Sequence, residues 1–440
     1  MASIVVISFG IISHNTFADT VTATTSLGYY PFDIDVNQNT DRIYVTTFNH
    51  VTYNSSYTFV IDGATNSVID KLWAGYDNGF EGVGVNQKTN RIYVTDTSYS
   101  RIAIIDGTTD AITETIEGIP YPHYLAVNPS TNKIYVQSNN QDIFVINSMT
   151  DTVSKSFRAC GTYTMDNQPQ GNILPVDVAV NPVTNMAYVA CVKAIKVMGG
   201  SYQSAASYVA VIDGATDTVL KNVTLGSSNA WPSGIRVNPN TNRIYVGGSP
   251  SASVIDGNTN LLMSTINAGC GCSGRVGVNP NTNKIYFSDA SNSLTIVDGV
   301  TNTVIGSVTV GSNPTSVGVN PVTNKIYVAN TESQTVSVID GSSSNTSTRP
   351  SAPQNLQANA GNAQVTLSWS SPASNGGSAI TGYKIYRSTS SGTETGYVSL
   401  GNVTSYTNTG VTGGTTYFYK VRAVNSVGLS PLSNEATATP

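Results

Sequence analysis

The stretch Asn320–Val328, NPVTNKIYV, followed by Thr335–Gly341, TVSVIDG, is one instance of a pair that fills most of the chain. The first motif returns at Asn37 (NQNTDRIYV), Asn86 (NQKTNRIYV), Asn128 (NPSTNKIYV), Asn181 (NPVTNMAYV), Asn238 (NPNTNRIYV) and Asn279 (NPNTNKIYF), which makes seven copies. The second also occurs seven times, for instance VIDGATN from Val60 and IVDGVTN from Ile296, and always follows the first. A repeat of roughly 41–57 residues decides the fold before any local reading does.

Each unit holds four short runs rich in Val, Ile, Thr and Tyr, separated by Asn-Pro and Asp-Gly turns. That pattern predicts strands joined by tight turns, not helices. Seven four-stranded antiparallel units predict an all-β fold, a seven-bladed β-propeller. Tyr44, Tyr93, Tyr135, Tyr188, Tyr245, Tyr286 and Tyr327 recur in the second run, where a periodic aromatic is expected to pack between blades.

The two motifs in fixed order resemble the YVTN repeat of β-propeller proteins, many of them prokaryotic surface proteins. The resemblance covers about residues 19–341. It departs at Met186-Ala187, at Phe287, and at Asn147-Ser148, which replaces Asp-Gly. After Gly341 the outer strand of the last unit is missing. At the other end, residues 19–28, DTVTATTSLG, align without a gap to residues 217–226, DTVLKNVTLG. The N-terminal strand is therefore expected to complete the seventh blade and leave no open edge.

Charged residues make up 11% of the 440, under half the ~25% usual in soluble domains. A net charge of −5 with no basic run argues against nucleic acid as a partner. No apolar run after residue 20 is long enough to span a membrane. Residues 1–18 differ: the apolar run SIVVISFGIIS and the small residues around Thr16-Phe17-Ala18 resemble a secretory signal peptide cleaved after Ala18, although no Lys or Arg precedes the run. The mature protein is expected to be secreted or held at the cell surface, and monomeric.

In a four-stranded meander the Asn-Pro and Asp-Gly turns share one end, the bottom, and scarcely vary. The loops at the other end, the top, vary, and recognition collects on such loops. Two insertions, 157–174 and 190–207, fall there and carry Cys160 and Cys191. A Cys160–Cys191 disulfide is predicted. Cys270 and Cys272 lie in the loop entering the sixth blade and are open to three readings: a local disulfide, free thiols, or a soft-metal site. Glu81 and His123 fall at equivalent positions at the channel mouth, with Asp33 and Asp177 one residue deeper. A carboxylate beside a histidine suits acid–base work or a divalent ion, while a polar, water-filled mouth is the plainer reading. The top loops also gather Tyr30, Tyr76, Tyr121, Tyr124 and Trp231, suited to stacking on sugars or on a partner protein. No nucleophile triad, phosphate loop or cofactor motif is visible.

From Ser351 the repeat gives way to a β-sandwich pattern, after a linker at 342–350. Residues 351–440 resemble a fibronectin type III domain, carried by Pro353, Trp369, Tyr383, Tyr386 and the run Gly414–Tyr417, whose tyrosine matches the family's tyrosine corner. The reading as a whole is an exported binding or adhesion protein that recognises a cell-surface protein or polysaccharide through its top face. The rival is a propeller enzyme, a lactonase-like hydrolase or metal-dependent lyase, working at the channel mouth.

Overall fold

In the computed structural model the described residues are 19–48, 56–73, 80–161, 172–196, 202–226, 231–249, 251–266, 275–289, 291–341, 349–373, 375, 380–425 and 427–440. The signal-peptide reading of residues 1–18, Tyr76, and Cys270 with Cys272 lie outside them. The chain divides into two compact units, Met1–Ser343 and Ser344–Pro440.

The first unit is all β among its described residues. Seven four-stranded antiparallel sheets follow one another at 30–73, 80–117, 122–157, 172–224, 231–266, 276–309 and 314–340, the last completed by Thr20–Ser26. Here they are called sheets one to seven. This is consistent with a β-propeller. Thr20–Ser26 pairs antiparallel with Thr335–Asp340, with Ser26 opposite Thr335 and Thr20 opposite Asp340.

Turn chemistry explains why the motifs recur. The last residue of the first turn, Asp41, Asn90, Asn132, Asn185, Asn242, Asn283 or Asn324, has φ between 50° and 56° in every sheet. Asn and Asp tolerate this left-handed conformation where a β-branched residue does not. The turn's first asparagine is buried each time and reaches the neighbouring sheet. Asn37 Nδ2 donates to Asn90 Oδ1 at 2.6 Å, Asn128 to Asn185 at 3.0 Å, Asn181 to Asn242 and Asn238 to Asn283 at 2.7 Å, and Asn279 to Asn324 at 3.1 Å. In sheet seven Asn320 donates to Asp41 of sheet one at 2.7 Å. Sheet three lacks the Asp-Gly step, and there Asn86 donates instead to the Ser148 hydroxyl at 3.4 Å. The bottom turns are thus links between sheets.

The seven tyrosines are fully buried. Three of the phenols donate to an aspartate of the next sheet, Tyr44 to Asp110 at 2.8 Å, Tyr135 to Asp217 at 2.7 Å and Tyr286 to Asp19 at 2.9 Å, whereas Tyr93 donates to the Ser148 carbonyl at 3.5 Å. The basic residue two positions earlier binds the same carboxylate, as in Arg42–Asp110 and Lys133–Asp217.

The insertion at 190–207, expected as an enlarged loop, is mostly strand. Met186–Lys196 and Tyr202–Asp213 run on as a long hairpin with Lys196 opposite Tyr202. Its β-branched and aromatic residues favour extended pairing over a loop. Cys160 and Cys191 form a disulfide with a Cα separation of 5.6 Å. The Tyr208 hydroxyl donates to the Cys160 carbonyl.

The second unit is a sandwich. Gln354–Gly361, Gln364–Ser370 and Ser405–Asn408 form one sheet, and Thr395–Leu400, Gly382–Ser388, Tyr417–Asn425 and Gly428–Leu429 the other, with Ala436–Ala438 paired to Tyr417–Asn425. Leu356, Trp369, Tyr383, Ile385 and Tyr419 fill the core. The Tyr417 hydroxyl accepts the Thr412 N–H at 3.0 Å, as a tyrosine corner requires.

Candidate functional site

The first strands of the seven sheets converge, and their register sorts their residues into levels. Ile34, Val83, Leu125, Val178, Ile235, Val276 and Val317 each lie opposite the residue after the buried tyrosine, so they are equivalent. One residue earlier stand Asp33, Gly82, Tyr124, Asp177, Gly234, Arg275 and Ser316. Three charges and a phenol occupy a level otherwise filled by glycine and serine.

Arg275 ties this level together. Its side chain is 5% exposed, and Nη1 lies 3.5 Å from Asp33 Oδ1 and 3.6 Å from Asp177 Oδ1. Its Cζ sits 3.3 Å from the centre of the Tyr124 ring, a cation–π contact. Burial opposes the charge, but the Asp177 and Asp33 carboxylates outweigh it and hold the guanidinium firmly protonated. Both aspartates also staple sheets. Asp33 accepts the Val83 N–H at 3.1 Å and the Ser316 hydroxyl at 2.7 Å. Asp177 accepts the Ile235 N–H at 3.1 Å and Arg236 Nη1 at 2.8 Å. The structure thus gives these two carboxylates internal cations and internal donors.

Glu81 and His123 meet one level above, with Nε2 and Oε2 2.5 Å apart and both side chains partly buried. His123 packs edge-on against Tyr124 at 4.1 Å, and Phe32 stacks on Tyr124 at 5.8 Å. His123 Nδ1 is buried with no hydrogen-bond partner among the described residues. Among the described residues no three His, Cys, Asp or Glu side chains converge as a metal site.

Below the Arg275 level lies a cavity of about 250 Å³ lined chiefly by Val, Leu, Ala and Gly, with Asp35 and Arg236 as its charged residues. At their level the other sheets place Gly84, Ala126, Ala179, Gly277 and Gly318. Burial pushes the Asp35 carboxyl up to about 6, against the Val36 and Val85 N–H groups and Arg236, which favour the anion.

The aromatic candidates separate. Tyr121 is 59% exposed at a φ of 45°, and Trp231 is 40% exposed. Tyr124 is enclosed between Phe32 and Arg275, so it is not a free stacking surface. Tyr30 is half-buried and stacks on Phe48 at 5.8 Å. Two exposed aromatics, Trp73 at 52% and Tyr99 at 47%, went unnoticed in the sequence. Trp73 ends an outer strand and Tyr99 lies between the second and third strands of sheet two. Both positions share the end at which Tyr121 and Trp231 stand. Among the described residues, every exposed tyrosine and tryptophan of the first unit is at this end. The opposite turns expose Met149, Val183, Val300 and Val322.

Residues 351–439 match the fibronectin type III domain family. The chain is 38% identical over 91 residues to a Kelch domain-containing protein of Saccharolobus solfataricus, covering 21% of this chain and 12% of that protein. It is 42% identical over 94 residues to an alpha-amylase of Niallia circulans, covering 20% and 6%. The chain thus matches only a small part of the length of these curated relatives. Among solved structures, Kuenenia stuttgartiensis hydrazine synthase, which contains a propeller, superposes with a TM-score of 0.58 at 16% identity, over 72% of this chain and 97% of that one. At that identity the likeness concerns the fold alone.

Proposed function

We propose that the repeat unit is a closed seven-bladed propeller of the YVTN type. On this reading the whole is an exported binding protein, engaging a surface protein or glycan through the top face of the propeller. The observation that carries it is the one-sided distribution of exposed aromatics: Trp73, Tyr99, Tyr121 and Trp231 share one end, on or beside the variable loops. Tyrosine and tryptophan give large contact area at low entropic cost and dominate binding hot spots. Closure is supported by the Asn320–Asp41 bond and by the pairing of Thr20–Ser26 with Thr335–Asp340. The test is binding of the purified protein to an array of glycans and to envelope fractions, followed by alanine at Tyr121 and Trp231.

A second reading rests on one observation, the Glu81–His123 pair at 2.5 Å with Nδ1 of the histidine left over. A hydrolase would use it as general base. Asp33 and Asp177 are poorly placed to help, since Arg275 and backbone N–H groups already engage them. Screening for lactone hydrolysis with wild type and His123→Ala decides this reading.

A further inference from the structure

Charge is unevenly divided along the chain. Residues 344–440 hold five basic side chains, Arg349, Lys384, Arg387, Lys420 and Arg422, against two acidic ones, Glu394 and Glu435, although the whole chain is at −5. Both glutamates are taken by Lys420, at 2.9 and 3.2 Å. Arg387 donates to the Gly410 carbonyl at 2.8 Å and stacks on Tyr397 at 4.0 Å. That leaves Arg349, Lys384 and Arg422 with no side-chain carboxylate of their own unit to meet.

These three lie together. Lys384 and Arg422 are directly opposite one another on paired strands. Like charges in that relation destabilise a sheet. Tyr386 lies beside both, its ring centre 5.8 Å from Lys384 Nζ and 5.4 Å from Arg422 Cζ. Arg422 and Arg349 line one cavity of about 490 Å³ with Pro350, Leu429, Ser430 and Pro431. Arg422 Nε is buried there without a hydrogen-bond partner among the described residues. Gly428, at a φ of 139°, lies beside the second guanidinium: a Cβ there would be in ordinary contact, 3.4 Å from Arg349 Nε. Two guanidiniums with no carboxylate partner among the described residues, in a cavity of ligand size, suit a carboxylate or sulfate group, which each can bind bidentately.

We propose that this cavity and the adjoining Lys384 bind a linear acidic polysaccharide. One anionic group enters between Arg349 and Arg422, and a following one meets Lys384. The row runs across the sheet, from Lys384 on Gly382–Ser388 to Arg422 on Tyr417–Asn425 to Arg349 beside Gly428–Leu429, with about 4.8 Å between neighbouring strands. A peptide adding to a sheet edge runs along the strands and would not track this row. Tyr386 offers a ring against which a sugar can pack. The site belongs to the second unit and the aromatic loops to the first, and either reading can fail without the other.

The experiment titrates the full-length protein with alginate, heparin, poly-L-glutamate and neutral dextran at low and high salt. The expected result is binding of alginate or heparin that weakens as salt screens it, and no binding of dextran. Arg349→Ala and Arg422→Gln each weaken binding by about tenfold or more, the loss of a charge-assisted contact, while Lys221→Ala in the first unit leaves it unchanged. Arg349 is exposed and outside any strand, so its variant keeps the fold and decides the matter even if Arg422→Gln does not. No binding of either polysaccharide, or binding unchanged in Arg349→Ala, overturns the proposal. Poly-L-glutamate bound more tightly than either polysaccharide, through the same arginines, also overturns it and makes the site one for an acidic protein.

Discussion

Lys284 places its ammonium 2.7 Å from the carboxylate of Asp19, with both side chains almost wholly buried. The same carboxylate accepts the Tyr286 hydroxyl at 2.9 Å. Asp19 is the residue before the strand that completes sheet seven, so this pair fastens that strand to sheet six. Removing one member of a buried pair leaves the other uncompensated, at a cost of about 3–5 kcal/mol. Asp19→Ala is expected to lower stability to urea by about that much. An unchanged midpoint would show that the first strand contributes nothing to closing the first unit.

The proposed leader ends one residue earlier. N-terminal sequencing of protein recovered from outside the producing cell is expected to begin at Asp19. A start at Met1 would show that residues 1–18 are retained.

Asp35 gives stability a pH dependence of definite sign. Its folded-state value is about 6, above the ~3.9 of an unfolded aspartate, so the folded state holds the proton longer. The associated stability is present below pH 4 and is lost as pH rises toward 6.5, by up to about 3 kcal/mol. Ala126 and Ala179 occupy the same level in other sheets, so Asp35→Ala is expected to fold. Subtracting its stability curve from that of wild type isolates the effect. A difference that is flat between pH 4 and 6.5 would contradict it.

The Cys160–Cys191 bond spans 31 residues. Loop-closure entropy predicts a loss of roughly 3–4 kcal/mol in the Cys160→Ser, Cys191→Ser double variant. Equal stability of reduced and oxidised wild type would count against it.

Much of this was legible in the sequence because the repeats encode it. Asn and Asp recur where the backbone turns left-handed, and a buried tyrosine marks the second strand of each sheet. The channel mouth was half legible. Asp33, Asp177, Glu81 and His123 stood out as charges among Val and Gly. Arg275 was missed because it follows a variable stretch, and only register shows that it shares a level with both aspartates. Tyr124 read as a surface aromatic because sequence does not show that Arg275 lies over its ring. The insertion at 190–207 read as an enlarged loop because an insertion in a repeat is ordinarily one.

The most direct test of the binding account compares five proteins for affinity to the glycan or envelope fraction that captures wild type: wild type, Tyr121→Ala, Trp231→Ala, Glu81→Ala and His123→Ala. The account predicts that the two aromatic variants lose about tenfold or more, as hot-spot residues do, and that the other two bind as wild type. Full binding by both aromatic variants, with loss in Glu81→Ala and His123→Ala, would contradict it and move the functional site to the channel mouth.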